Sequence, residues 1–265
     1  MSRIEKRFKE IKAKKKKAFI AYICAGDPDL ATTKRLVLEF DKAGVDIIEL
    51  GVPFSDPLAD GPTIQRASQR ALKKRVNLPK IFLLIKELRK NTEMPLVLMI
   101  YYNLIYDYGV NKFVRDAKGS GADGVIVPDL IPEEADELVF VSRAYDFNTI
   151  FLAAPTSTKE RIRLIANKST GFIYYVSLTG VTGARKSLSG HVREHIREIK
   201  HITKKPICVG FGVSTPKQVR QLSRFCDGVI VGSAIINKLE KNIKNKNRAI
   251  KEAAAFVKSL AKGVK

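Results

Sequence analysis

The strongest constraint on this chain is a rhythm. Eight short apolar runs ("AFIAYICAG", "VDIIELGV", "PLVLMIYY", "DGVIVPDL", "TIFLAAP", "GFIYYVSL", "PICVGFGV" and "DGVIVGSA") recur at fairly regular spacing, separated by helix-like segments. Each run is apolar almost throughout rather than in alternation, the pattern of a strand covered on both faces. Between them, "ATTKRLVLEFDKAG" sets Leu36, Val37 and Phe40 at helical intervals and stops at Gly44. "IPEEADELVFVSRAYDF" predicts a helix opening at Pro132 with two glutamates in its first turn. "SRIEKRFKEIKAKK" adds one helix before the first strand. No linker or composition break divides the chain, so 1–265 reads as a single domain. The alternation predicts an α/β fold, a (β/α)8 TIM barrel with an extra N-terminal helix; the rival is a doubly wound open sheet.

In either architecture ligands meet the C-terminal ends of the strands. Those ends carry Asp27, Glu49, then Asp56 and Asp60 in the next loop, Tyr101 and Tyr102, Asp129, Tyr174 and Tyr175, and glycines at the last two. None offers a lysine for a Schiff base or a histidine for a metal. What remains is acid and base chemistry by carboxylates. A glutamate closing a buried strand is desolvated, which raises its pKa toward the range where it both accepts and gives a proton. Asp60 could lie across the mouth from it. Asp27 and Asp56 each precede a proline and read as turn formers. Gly210, Gly212, Gly232 and Ser233 suit a phosphate, because glycines admit the anion to backbone amides. "GVTGARKS" is not a P-loop, since Arg185 stands where a glycine is required, and reads as a flap over the mouth. His191 and His195 are read as a solvated helix face.

Lys and Arg outnumber Asp and Glu by 48 to 27, a net charge of +21. The lysines are not interleaved with aromatic residues as stacking platforms require, so a solvated basic exterior is expected, with no specific nucleic-acid partner. Cys24, Cys208 and Cys226 lack metal or disulfide spacing and read as core residues in a reducing compartment. No apolar run approaches a bilayer's width and no signal-peptide core follows the N-terminus, so a cytoplasmic protein without membrane contact is expected.

"ELGVPFSDPLADGPTIQ" at 49–65, with "AGDP" at 25–28, "GVTGAR" at 180–185, "VGFGVS" at 209–214 and "VGSA" at 231–234, resembles the tryptophan synthase alpha subunit family. The resemblance covers essentially the whole chain. It implies a TIM-barrel lyase that cleaves indole-3-glycerol phosphate to indole and glyceraldehyde 3-phosphate, with no cofactor and no metal. Carried over, Glu49 and Asp60 match the catalytic carboxylates, Tyr174 the tyrosine beside the glutamate, and Thr182 the flap threonine. Gly183, Gly212, Gly232 and Ser233 match phosphate-contacting positions; Tyr22, Ile100, Tyr102, Asp129 and Phe211 fall where the indole pocket is lined. The implied partner is a pyridoxal phosphate-dependent beta subunit in an alpha2beta2 assembly, contacted through Pro53, Asp56, Asn103 and Pro132. Cys24 replaces the family's usual threonine. Rival readings are another phosphate-binding barrel, an isomerase or prenyltransferase, and a non-catalytic basic barrel that binds nucleic acid.

Overall fold

The computed structural model describes residues 1–176, 185–210 and 212–264. Its strands are β1 (Ala18–Cys24), β2 (Ile47–Gly51), β3 (Leu96–Met99), β4 (Gly124–Ile126), β5 (Asn148–Ile150), β6 (Leu152–Ala153), β7 (Ile173–Val176), β8 (Ile207–Gly210) and β9 (Gly228–Val231). All the pairings are parallel, in the order β5-β4-β3-β2-β1-β9-β8-β7-β6. The two ends of that order, β5 and β6, are separated in the chain only by Phe151, whose carbonyl accepts the Tyr174 N–H at 3.1 Å. They are one interrupted strand, so the sheet closes into the expected barrel and the open-sheet rival falls.

Side chains alternate between lumen and outer helices. Ala18, Ile20, Ile47, Val97, Ile126, Ile150, Phe172, Cys208 and Ile230 form an interior cluster to which α1 (Arg3–Ala13) adds Ile4, Phe8 and Ile11. The extra N-terminal helix therefore plugs the lumen, each of its buried side chains contributing about 1.5–3 kcal/mol. It starts on a capping box between Ser2 and Glu5. Outside the sheet lie α2 (Leu30–Ala43), α3 (Pro62–Lys73), α4 (Leu78–Arg89), α5 (Tyr102–Tyr108), α6 (Val110–Ser120), α7 (Asp136–Ala144), α8 (Lys159–Lys168), α9 (Arg185–Ile202), α10 (Pro216–Leu222), α11 (Ser233–Lys241) and α12 (Lys246–Ala261). Gly44 ends α2 at φ 89°, the left-handed conformation its stop position requires.

The helix expected from Pro132 starts later. Pro132–Glu134 is a 3-10 turn, because the Pro132 carbonyl takes the Ala135 N–H at 3.3 Å and the Lys168 ammonium at 2.6 Å instead of entering an α ladder. A recurrent device at the other end of the strands escaped the sequence reading. Asp46, Asp123 and Asp227 stand immediately before β2, β4 and β9, and accept the N–H of Phe19 at 2.8 Å, Leu96 at 2.8 Å and Ile207 at 3.1 Å. Each carboxylate stitches the start of its strand to the start of a neighbour. Among the described residues no helix is long and apolar enough to cross a membrane.

Candidate active site

Glu49 points into the lumen from β2, above the apolar plug and opposite Tyr22 in the register with β1. It is 0% exposed, and neither carboxylate oxygen has a hydrogen-bond partner among the described residues. Burial alone pushes its pKa up to about 8. An acid so placed holds a proton at neutral pH and can release it within the physiological range.

Asp60 lies in the loop between β2 and α3. Burial raises its pKa to about 6, opposed by a hydrogen bond from the Tyr101 hydroxyl. The same hydroxyl accepts the Ala59 N–H at 3.0 Å, and the Phe54 ring packs on the Tyr101 ring at 5.2 Å. Gln65 in α3 donates to the Asp60 carbonyl at 2.9 Å. The loop is thus tied back to β3 through Tyr101 and to α3 through Gln65. Sequence reading had placed Tyr101 at a strand end without giving it a role; its signal was its position directly after the buried Ile100.

Two phenols enter the lumen by the same geometry. Tyr22 faces Glu49 in register and leans toward Gly51; Tyr174 faces Cys208 and leans toward Gly210. A Cβ on Gly51 would lie 2.1 Å from the Tyr22 hydroxyl oxygen, and one on Gly210 would lie 2.4 Å from that of Tyr174. Both glycines are there to let a ring lie diagonally across the next strand. Gly210, grouped with the phosphate glycines on sequence, thus has a packing reason of its own. Burial lifts the Tyr22 hydroxyl pKa well above its ordinary range, reinforced by Cys24, Asp60, Glu49 and Tyr101; burial does the same for Tyr174, with Glu49, Cys208 and Asp60 adding to it. These phenols remain neutral donors facing both carboxylates.

The other assigned residues are placed as follows. Ile100 is fully buried. Tyr102 is half-buried with its ring against Tyr106 at 6.3 Å, so the phenol that reaches Asp60 is its neighbour Tyr101. Asp129 accepts the Tyr102 N–H at 2.9 Å and so caps the first turn of α5. Gly212 adopts φ 69°, and Gly232 with Ser233 opens α11 directly after the C-terminal end of β9, where the first amides of a helix have no carbonyl partner within it. Thr182, Gly183, Phe211 and the flap as far as residue 184 lie outside the described residues, whereas Arg185, Lys186 and Ser187 open α9.

Two sequence readings are corrected. Asp27 is more than a turn former: it is 1% exposed and its two oxygens accept from Arg70 Nε at 2.7 Å and Nη2 at 2.8 Å. His195 is not simply solvated, because its Nδ1 lies 3.0 Å from the hydroxyl of Tyr175, the outward neighbour of Tyr174 on β7. Asp56 is exposed and hydrogen-bonded by Ser55, as a turn residue should be.

Comparison with known proteins agrees with this geometry. The family described as tryptophan synthase alpha chain matches residues 8–265. The chain is similar to a tryptophan synthase alpha chain of Geotalea uraniireducens, 48% identical over 100% of this chain and 98% of that one. It is 46% identical to one from a Thermoanaerobacter species over 98% of each. Among solved structures, the tryptophan synthase subunit alpha of Legionella pneumophila superposes with TM-score 0.93 at 37% identity, covering 100% of this chain and 98% of that chain. A chain of the aminoacrylate-bound tryptophan synthase of M. tuberculosis does so with TM-score 0.89 at 34% identity, covering 100% of both. The closed parallel barrel, the lumenal glutamate and the full-length match together show that this chain belongs to the tryptophan synthase alpha chain family.

Proposed function

We propose that this chain cleaves indole-3-glycerol phosphate to indole and glyceraldehyde 3-phosphate, with Glu49 as the proton shuttle and Asp60 as the anchor of the indole N–H. The observation that carries the assignment is Glu49 itself, a carboxyl with no hydrogen-bond partner among the described residues, fully buried and held near pKa 8 at the end of a strand. At neutral pH it is protonated, while Asp60, near 6, is mainly ionised.

A retro-aldol cleavage needs an electron sink, and the substrate carries its own. Glu49 gives its proton to indole C3, which leaves the ring iminium-like. The bond between C3 and the glycerol carbon then breaks, and its electron pair returns to the ring. The hydroxyl on that carbon loses its proton to the Glu49 carboxylate and becomes the aldehyde. Proton and electrons balance, and Glu49 ends protonated as it began. Ionised Asp60 accepts the N–H hydrogen bond, which strengthens as positive charge develops on the ring. Tyr22 and Tyr174 fill the walls beside both carboxylates, and the phosphate is held at the start of α11 and the turn at Gly212.

The partner is a tryptophan synthase beta subunit. Leu58, Tyr106 and Ile131, 95%, 71% and 45% exposed, sit on the loops and helix that follow the adjacent strands β2, β3 and β4, an apolar arc on one side of the mouth. Asp56 and Asn103 are exposed on the same arc, whereas Pro53 and Pro132 are buried beneath it. With three buried free cysteines, the whole chain is suited to work as one domain in a reducing cytoplasm.

The test is to supply indole-3-glycerol phosphate and follow indole release with and without an active beta subunit. Indole release that rises when the partner is added is expected. No indole in either case would overturn the proposal.

A further inference from the structure

Helix α3, which begins two residues after Asp60, presents Thr63, Arg66 and Arg70 on one face, spaced by three and four residues. Helix α11, which begins at the phosphate site, answers with Asn237 and Glu240. Thr63 Oγ1 and Asn237 Oδ1 are 3.2 Å apart. Arg66 chelates Glu240 through Nε and Nη2, both at 2.9 Å. Arg70 reaches the same carboxylate through Nη1 at 2.7 Å while its other two nitrogens grip buried Asp27 in the turn after β1. Arg66 first, then Arg70, hold Glu240 down at about 2, so the seam is charged at every working pH.

This seam joins two places that need a common frame. At one end Gln65, in the first turn of α3, bonds the Asp60 carbonyl at 2.9 Å. At the other, α11 carries Gly232 and Ser233 at its N-terminus. Fork-to-fork pairs fix direction as well as distance, so neither helix can slide or turn without breaking several charge-assisted bonds. Asp27 makes the anchor rigid, because its carboxylate is buried and would be left unpaired if Arg70 moved.

We propose that Arg66, Arg70 and Glu240 are positioning residues that couple occupation of the phosphate site to the placement of Asp60. This rests on the reading of Asp60 and of the α11 N-terminus given above. The coupling runs through the backs of the two helices, away from the substrate, and explains why a motif after β1 and one in α3 share an ion pair whose carboxylate is buried.

The experiment is hydrogen exchange of residues 54–61 with and without saturating glycerol 3-phosphate, on the full chain and on Glu240→Gln and Arg66→Gln. In the unaltered protein the ligand should slow exchange of this segment about tenfold, the size of an ordinary coupling between sites. In Glu240→Gln, protection should fall below about threefold even at saturation, with Arg66→Gln between the two. A seam that only stabilises the fold would lower the melting temperature and leave the ligand-induced protection unchanged. That result, or no protection of 54–61 in the unaltered protein despite measured binding, overturns the inference. Should Glu240→Gln fail to fold, Arg66→Gln decides alone, since it leaves both Arg70 pairs in place. Failure of the underlying reading shows differently, as absence of indole release by the unaltered protein with an active partner.

Discussion

Asp123 at the start of β4 and Glu49 near the end of β2 are both carboxylates inside one barrel, and the fold treats them oppositely. Asp123, 5% exposed, accepts from Arg89 at 2.6 Å, from Arg3 at 3.2 Å and from the Leu96 N–H at 2.8 Å. Glu49, 0% exposed, has no partner among the described residues. Burial without partners is costly, and a fold that has satisfied Asp46, Asp123 and Asp227 at one end has the means to do so at the other. The difference separates a carboxylate that secures strand pairing from one whose proton affinity is raised by burial alone.

The largest effects should come from removing the mouth carboxylates. Glu49→Gln should lower kcat by about a thousandfold, within the usual range for a general acid or base, and Asp60→Asn by about a hundred- to a thousandfold, the range for a group that stabilises developing charge, each with the melting transition retained. Near-normal turnover in either variant would take that residue out of the mechanism. Asp123→Ala should do the reverse, costing about 3–5 kcal/mol in urea unfolding by stranding Arg89, while kcat per folded molecule stays the same. Loss of turnover in the folded fraction would break the contrast.

The pH dependence of stability sharpens it further. Because the folded pKa of Glu49 is raised to about 8, its protonated form is stabilising relative to the ionised form. That contribution is complete below the unfolded value and disappears as pH rises through the folded one. The unaltered protein should therefore lose on the order of 4 kcal/mol relative to Glu49→Gln between pH 5 and pH 9. Parallel urea curves for the two proteins across that range would refute the raised pKa.

Smaller changes are expected at Asp60 and at the strand starts. Tyr101→Phe removes the hydrogen bond that favours ionised Asp60, so the acid limb of kcat/KM should move upward by about half a unit to one unit. An unmoved limb would show that Tyr101 does not set the Asp60 charge. Asp46→Asn keeps an acceptor for the Phe19 N–H but loses its charge, and should cost about 1 kcal/mol in thermal or urea unfolding.

The sequence by itself determined the strand positions, the extra helix and the burial of Glu49, for physical reasons visible in one dimension. Continuous apolar runs commit strands to the interior whatever their neighbours, and an acid that ends such a run must be buried with it. The resemblance carried by 49–65 added the reaction, because that motif is too long and specific to arise from turn chemistry. Tertiary structure alone decided the partners. Asp27 looked like a turn residue until Arg70, from the distant helix α3, was brought against it. Tyr101 and Tyr102 were indistinguishable as adjacent phenols until the start of α5 sent one to Asp60 and the other to Tyr106. His195 acquired Tyr175 only because strand alternation turned that phenol outward onto α9. Burial propensity is written in the local chain, whereas pairing depends on which side chains the closed barrel makes neighbours across separations that local sequence does not encode.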